Sequence, residues 1–162
     1  PSGKTHAAMT ISAASGIIAP YLIVQLNGNP YWYLAGTLVG LLITPDLDLN
    51  NPNYSDFILR KIFPPFQWLW RILWTPYSLL LPHRSPISHF PIIGTLFRIG
   101  YIFLLLNLFS WLFSLFGTIF NDTVSHFIWF WNTSFVLGLI HVDTLHFLAD
   151  KSIKGKEQFS GE

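Results

Sequence analysis

In this cysteine-free sequence, six histidines and eight acidic residues are the side chains suited to hold a metal ion. Most fall into short groups. His6 stands near the start, Asp46 and Asp48 flank Leu47 after Pro45, and His83 and His89 bracket Arg84-Ser85-Pro86-Ile87-Ser88. The last group is His141, Asp143, His146 and Asp150. Neutral imidazole and carboxylate are the ligands expected of zinc, manganese or iron when thiolate is absent. On a helix His146 and Asp150, four apart, share one face, and Asp143 joins the same stripe. His141 lies about 200° from Asp143 at 100° per residue, so it points elsewhere and is a weaker candidate. Asp46 and Asp48 can offer two carboxylates from one extended turn, one bridging and one terminal. His83 and His89 can bend onto one centre across their proline-containing loop.

Seven candidates (His6, Asp46, Asp48, His83, His89, His146 and Asp150) exceed the three protein ligands and one water of a catalytic zinc. They suit a site for one or two divalent ions, in which two ions would clamp the attacking and leaving oxygens of a phosphoester. Arg84 is a candidate to hold a phosphate oxygen through its planar fork, and Ser88, or Ser85, to donate a hydrogen bond. Each residue alone has a plainer reading. Asp46 after Pro45 resembles a helix cap, Asp143 and Asp150 resemble wetted carboxylates or partners of Lys151 and Lys154, and His83-Arg84 resembles a headgroup contact. What favours a metal site is convergence, and that depends on the elements that carry these residues.

Only 10% of the residues are charged and 51% are hydrophobic, against about 25% charged in a soluble domain. Aromatic residues reach 17%, including 7 Trp and 6 Tyr, which favour the membrane–water interface. These numbers predict an all-α integral membrane bundle of about four transmembrane helices. The expected crossings are Ala7 to Leu26, Tyr31 to Thr44, Ile92 to Phe120 and His126 to Ala149, near the ~20 residues a bilayer requires. Gly36 and Gly40 in the second are spaced for close helix packing. Phe57 to Leu81 is Trp-rich but interrupted by Arg60, Lys61, Pro64, Pro65, Arg71 and Pro76. It reads as interfacial helices between spans two and three, with Trp68, Trp70 and Trp74 at headgroup level. Pro82 to Pro91 reads as a loop. Arg98, the one charge in the third crossing, is close enough to its start to snorkel outward. His126 reads as an interface residue at the opposite end. Residues 1–150 form the expected embedded domain, and 151–162 a polar tail. The first residues read as a start after loss of an initiator Met, without a separate signal peptide.

Four crossings place both termini and the Asp46 to Pro91 region on one side. Lys4, Arg60, Lys61, Arg71, Arg84, Lys151, Lys154 and Lys156 all fall there, and neither short turn on the other side holds Lys or Arg. The positive-inside rule makes that side cytoplasmic. Five of the six histidines arrive at the same face. Nothing resembles the basic block that tracks nucleic acid, so the expected partners are the lipid bilayer and, in a second reading, a larger membrane complex.

In this order, Thr5-His6, Pro45-Asp46-Leu47-Asp48, His83-Arg84-Ser85-Pro86-Ile87-Ser88-His89 and His146-Phe147-Leu148-Ala149-Asp150 resemble a bacterial family of uncharacterised metal-binding membrane proteins. The chain is more distantly similar to membrane-bound predicted metal-dependent hydrolases related to the inner-membrane protein YdjM. The resemblance covers roughly residues 1 to 150. It implies a helical membrane fold of the bacterial inner or thylakoid membrane and a divalent-metal site, zinc first and manganese or iron next. It also implies ligand roles for His6, Asp46, Asp48, His83, His89, His146 and Asp150. Leu49 stands where the wider group often has His, one ligand fewer than a full two-metal set. The expected function is a membrane-embedded hydrolase acting on a phosphoester through a metal-activated water. The alternative is a non-enzymatic metal-binding subunit or assembly factor of a membrane complex.

Overall fold

The computed structural model describes residues 8, 11–12, 16, 18–49, 53–82, 85–114 and 132–159. Among them every regular element is helical and none is a strand. In chain order they are α1 (Ile18–Gln25), α2 (Pro30–Val39), a 3-10 turn (Pro45–Asp48), α3 (Tyr54–Ile62), α4 (Pro64–Leu80), α5 (Pro86–His89), α6 (Pro91–Ser114) and α7 (Thr133–Phe159). The all-α expectation holds. One helix among the described residues, over Pro91–Leu112, is long and apolar enough to cross a membrane, with mean hydropathy 1.9. α1 and α2 are short, at 8 and 10 residues, and α7 carries the polar His and Asp stripe. Of the four expected crossings only the third coincides with such a helix among the described residues, so a four-span bundle is not shown. α7 also runs past residue 150 to Phe159, so the polar tail begins inside a helix.

Local chemistry sets the boundaries. α1 ends where Asn27 takes a left-handed φ of 56°; Gly28 N–H donates to Ile23 O and Asn27 N–H to Val24 O, the paired bonds of a Schellman cap. Asn29 then caps α2 through its side chain, accepting from Tyr31 and Trp32 N–H, with Pro30 at the first helical position. Pro64 and Pro65 open α4 rather than break it, because the first helical N–H groups have no partner to lose. The expected loop from Pro82 to Pro91 contains a further turn of helix. Ser85 Oγ accepts from Ser88 N–H at 3.1 Å and Pro86 follows it, a favoured N-terminal pair.

Two packings hold the site. α2 crosses α7 in backbone contact: a Cβ on Gly36 would land on the Phe135 carbonyl, and one on Gly138 on Tyr33 O and Thr37 N. Gly40 is less tight, a Cβ there lying 3.0 Å from the Val142 side chain. The Gly36/Gly40 spacing is therefore used, with Gly138 as its partner. On the other flank Leu47, Trp74, Tyr77, Leu81 and Tyr101 form an aromatic core, with Trp70 packed against it. Trp70, Trp74, Tyr77 and Leu81 recur at helical spacing and share one face. This corrects the expectation for the tryptophans: Trp68 is 70% exposed, but Trp74 is 6% exposed and faces inward.

Candidate metal centre

Three elements meet at one point. In the 3-10 turn Leu47 is buried in the aromatic core, and at about 120° per residue Asp46 and Asp48 project to either side of it. Asn53 ties this turn to α3. Its Nδ2 donates to the Asp46 carbonyl at 3.2 Å while its Oδ1 caps the helix by accepting from Asp56 N–H. His89 is the last residue of α5, fixed by Ser85 one turn earlier through its N–H to Ser85 O at 3.0 Å. His146 lies on α7, held by the glycine crossing with α2.

The side chains meet with ligand spacing. One ligand atom each from Asp46, His89 and His146 lies within 4.8 Å of the other two. Asp46 Oδ1 is 3.5 Å from His146 Nε2 and 3.9 Å from His89 Nε2, and Asp150 Oδ2 is 3.6 Å from His146 Nε2. These separations exceed N–H···O hydrogen bonds. Two atoms each bound at 2.0–2.2 Å to a tetrahedral ion lie about 3.4 Å apart, so the donor set and spacing both fit a divalent cation. The rings of His89 and His146 meet edge to face with centroids 5.8 Å apart.

A hydroxyl sets which nitrogen of His89 faces this point. Ser88 Oγ donates to Asp48 Oδ2 at 2.7 Å and lies 2.9 Å from His89 Nδ1. With its one proton directed to a carboxylate, Ser88 Oγ accepts from Nδ1–H. Nε2 then carries the lone pair, on the side of Asp46. Such partners on the non-ligating nitrogen are a regular feature of metal-bound histidine.

The sequence profile of a family described as uncharacterised metal-binding proteins (DUF2227) matches residues 1–159. The chain belongs to that family. No curated protein and no solved structure gives a significant match. Of the ligands expected in this family member, Asp46, His89 and His146 come together and Asp150 stands beside His146. Asp48 is 3.4 Å from Nδ1 of His89, on the other side of that ring from Asp46. His6, His83 and Arg84 lie outside the described residues, as does His126. Ser88 is fully buried, with its hydroxyl between Asp48 and His89. His141 turns away from the cluster, as expected, and its Nδ1 meets the Tyr33 hydroxyl.

One expectation and one of the plainer readings are corrected here. Arg98 does not snorkel outward; it is 1% exposed. Its Nη2 donates to Asp143 Oδ2 and its Nη1 to Ser88 O. Asp143 is accordingly buried rather than wetted or paired with Lys151, and Thr95 Oγ also donates to it. Burial pushes the nearby Tyr77 phenol up to about 12, with Arg98 opposing the shift, so Tyr77 stays neutral. The missed signal was a lone Arg in one apolar run and an Asp in another. Ionisable groups in such surroundings pair with one another.

Proposed function

We propose that this chain is a membrane-embedded metal-dependent hydrolase acting on a phosphoester of a lipid or a membrane-adjacent metabolite. The observation that carries the reading is the convergence of Asp46, His89 and His146. Three protein ligands from three elements match the catalytic type of site, which keeps a position open for water or substrate. Zinc is the first choice of cation and manganese or iron the next. When bound, such an ion supplies a water acidified enough to act as nucleophile near neutral pH. The protein's own part is to orient the two rings, through Ser88 at His89 and through the α7 backbone at His146. Asp150, with its side chain 20% exposed, is suited to be either a fourth ligand or the group that receives the proton of the attacking water. Arg84, directly before the Ser85 cap in sequence, is assigned the phosphoryl oxygens.

The bilayer is the proposed surrounding, with the site on the cytoplasmic face by the distribution of Lys and Arg. Support comes from α6, whose apolar stretch is only 17% buried, with Ile93, Leu96, Leu104, Leu108 and Trp111 exposed.

The test is metal content of the detergent-purified protein beside His89→Ala and His146→Ala, followed by phosphoester hydrolysis. The expected result is about one divalent ion per described cluster, lost in both variants together with hydrolysis. A bound ion without hydrolysis of any phosphoester, in a protein that purifies at fixed stoichiometry with a larger complex, would instead support a non-enzymatic subunit.

A further inference from the structure

We propose that Arg98 is the positioning residue of this centre, bracing the segments that carry His89 and His146 so that metal occupancy and the docking of α6 on α7 are one event. The inference rests on the metal-centre reading but not on hydrolysis. One guanidinium reaches both ring-bearing segments. Nη1 donates to the carbonyl of Ser88 at 3.0 Å, the peptide that leads directly into His89. Nη2 donates to Asp143 on α7, three residues before His146 and on the same helical face.

The surroundings hold this fork in one place. A Cβ on Gly94 would land on the Ser88 carbonyl, so that oxygen is confined between the backbone of α6 and Arg98. Thr95 donates to the same Asp143 oxygen that Arg98 engages, and Ser88 carries on its other side the hydroxyl that links Asp48 to His89. A planar guanidinium can serve two acceptors at fixed angles, whereas a lysine ammonium offers a point charge without that geometry. Displacing either contact therefore moves a ligand ring, even though Arg98 is not in the ligand cluster.

The experiment compares wild type, Arg98→Lys and Tyr101→Phe as full chains in detergent. It measures cobalt(II) and zinc(II) affinity by chelator competition, the cobalt(II) visible spectrum, and thermal unfolding with and without metal. Tyr101→Phe removes a core hydrogen bond to Leu73 O without touching a ring-bearing segment. It should lower the melting temperature equally in both states, with unchanged affinity and spectrum. Arg98→Lys should bind metal roughly 10–100-fold more weakly, the range for losing an outer partner of a ligand, with an altered cobalt spectrum and a smaller metal-induced stabilisation. Wild-type affinity and spectrum in Arg98→Lys overturn the proposal, whatever its melting temperature. Should that variant not fold, Arg98→Met/Asp143→Leu replaces the buried pair by apolar groups, a change that usually preserves folding. Weak binding there supports the brace, and wild-type binding overturns it. A wild-type protein that takes up no cation overturns both this proposal and the metal centre itself.

Discussion

At the scale of single residues, one hydroxyl determines whether His89 presents the right nitrogen. Ser88→Ala removes the hydroxyl that donates to Asp48, 2% exposed, and that stands 2.9 Å from Nδ1 of His89. Losing such an outer partner typically costs 10–100-fold in metal affinity, and losing a buried hydrogen bond to a carboxylate costs about 1.5–3 kcal/mol of stability. Chelator competition and thermal unfolding on Ser88→Ala should show both losses, and an affinity equal to wild type would mean that His89 is oriented by something else. Much of this site was legible in the sequence, because ligand chemistry is written in residue type. Asp46, His89, His146 and Asp150 announce themselves by identity and by the i, i+4 spacing of the last two. What they touch is not written there. Ser88 reads as a donor to substrate until its depth is known, and Arg98 reads as a snorkelling side chain until Asp143 is seen opposite it. Both depend on which face of a helix turns inward, and a uniformly apolar run such as Ile92 to Phe120 carries no periodicity to indicate it.

At the scale of elements, the positions of His146 and Asp143 depend on how closely α7 lies against α2. That approach is set by glycine. A side chain at Gly138 meets the backbone of Tyr33 and Thr37, which cannot rotate aside as a flexible side chain could. Gly138→Val should therefore push the helices apart and destabilise the fold by roughly 1–3 kcal/mol, with weaker metal binding as His146 moves with its helix. Gly100→Ala supplies the contrast, since a Cβ at Gly100 meets nothing within 4 Å. There the change should be neutral or stabilising by up to about 1 kcal/mol through helix propensity alone. Melting temperatures of the two variants check the pair, and equal behaviour would remove the glycine crossing as the cause. The sequence signalled one half of this contact in Gly36 and Gly40. Its other half, Ser134 and Gly138, carries the same four-residue spacing in a different segment, but pairing the two requires the register of two helices that no local pattern contains. The inward turn of Trp74 was hidden for a related reason. The expectation weighed the tryptophans by residue type, as interface anchors, while the stripe of Trp70, Trp74, Tyr77 and Leu81 assigns them to a packed face.

At the scale of the whole molecule, the composition points to a bilayer, and the described fold adds one helix of spanning length. The two readings of that helix differ in what its outer face requires. In water, Leu104, 64% exposed, would tolerate a polar substitution within about 0.5 kcal/mol, as surface positions usually do. In a bilayer the same side chain lies about 20 Å along an apolar segment about 33 Å long, at 1.5 Å per residue. An arginine near the centre of a span costs about 2.5–3.5 kcal/mol on insertion scales. Leu104→Arg should therefore reduce recovery in the carbonate-resistant membrane fraction and lower the yield of folded, metal-binding protein. Leu148→Lys is the matched control. Leu148 is comparably bare, at 52% exposed, but it sits two residues from His146 at the level of the site, where a long cationic side chain can reach the headgroups. Loss in the first variant with recovery in the second would support a bilayer around α6 and a site at its surface. Equal tolerance of both charges would instead place the outer face of α6 in water, where surface positions accept such changes, and would overturn the bilayer reading.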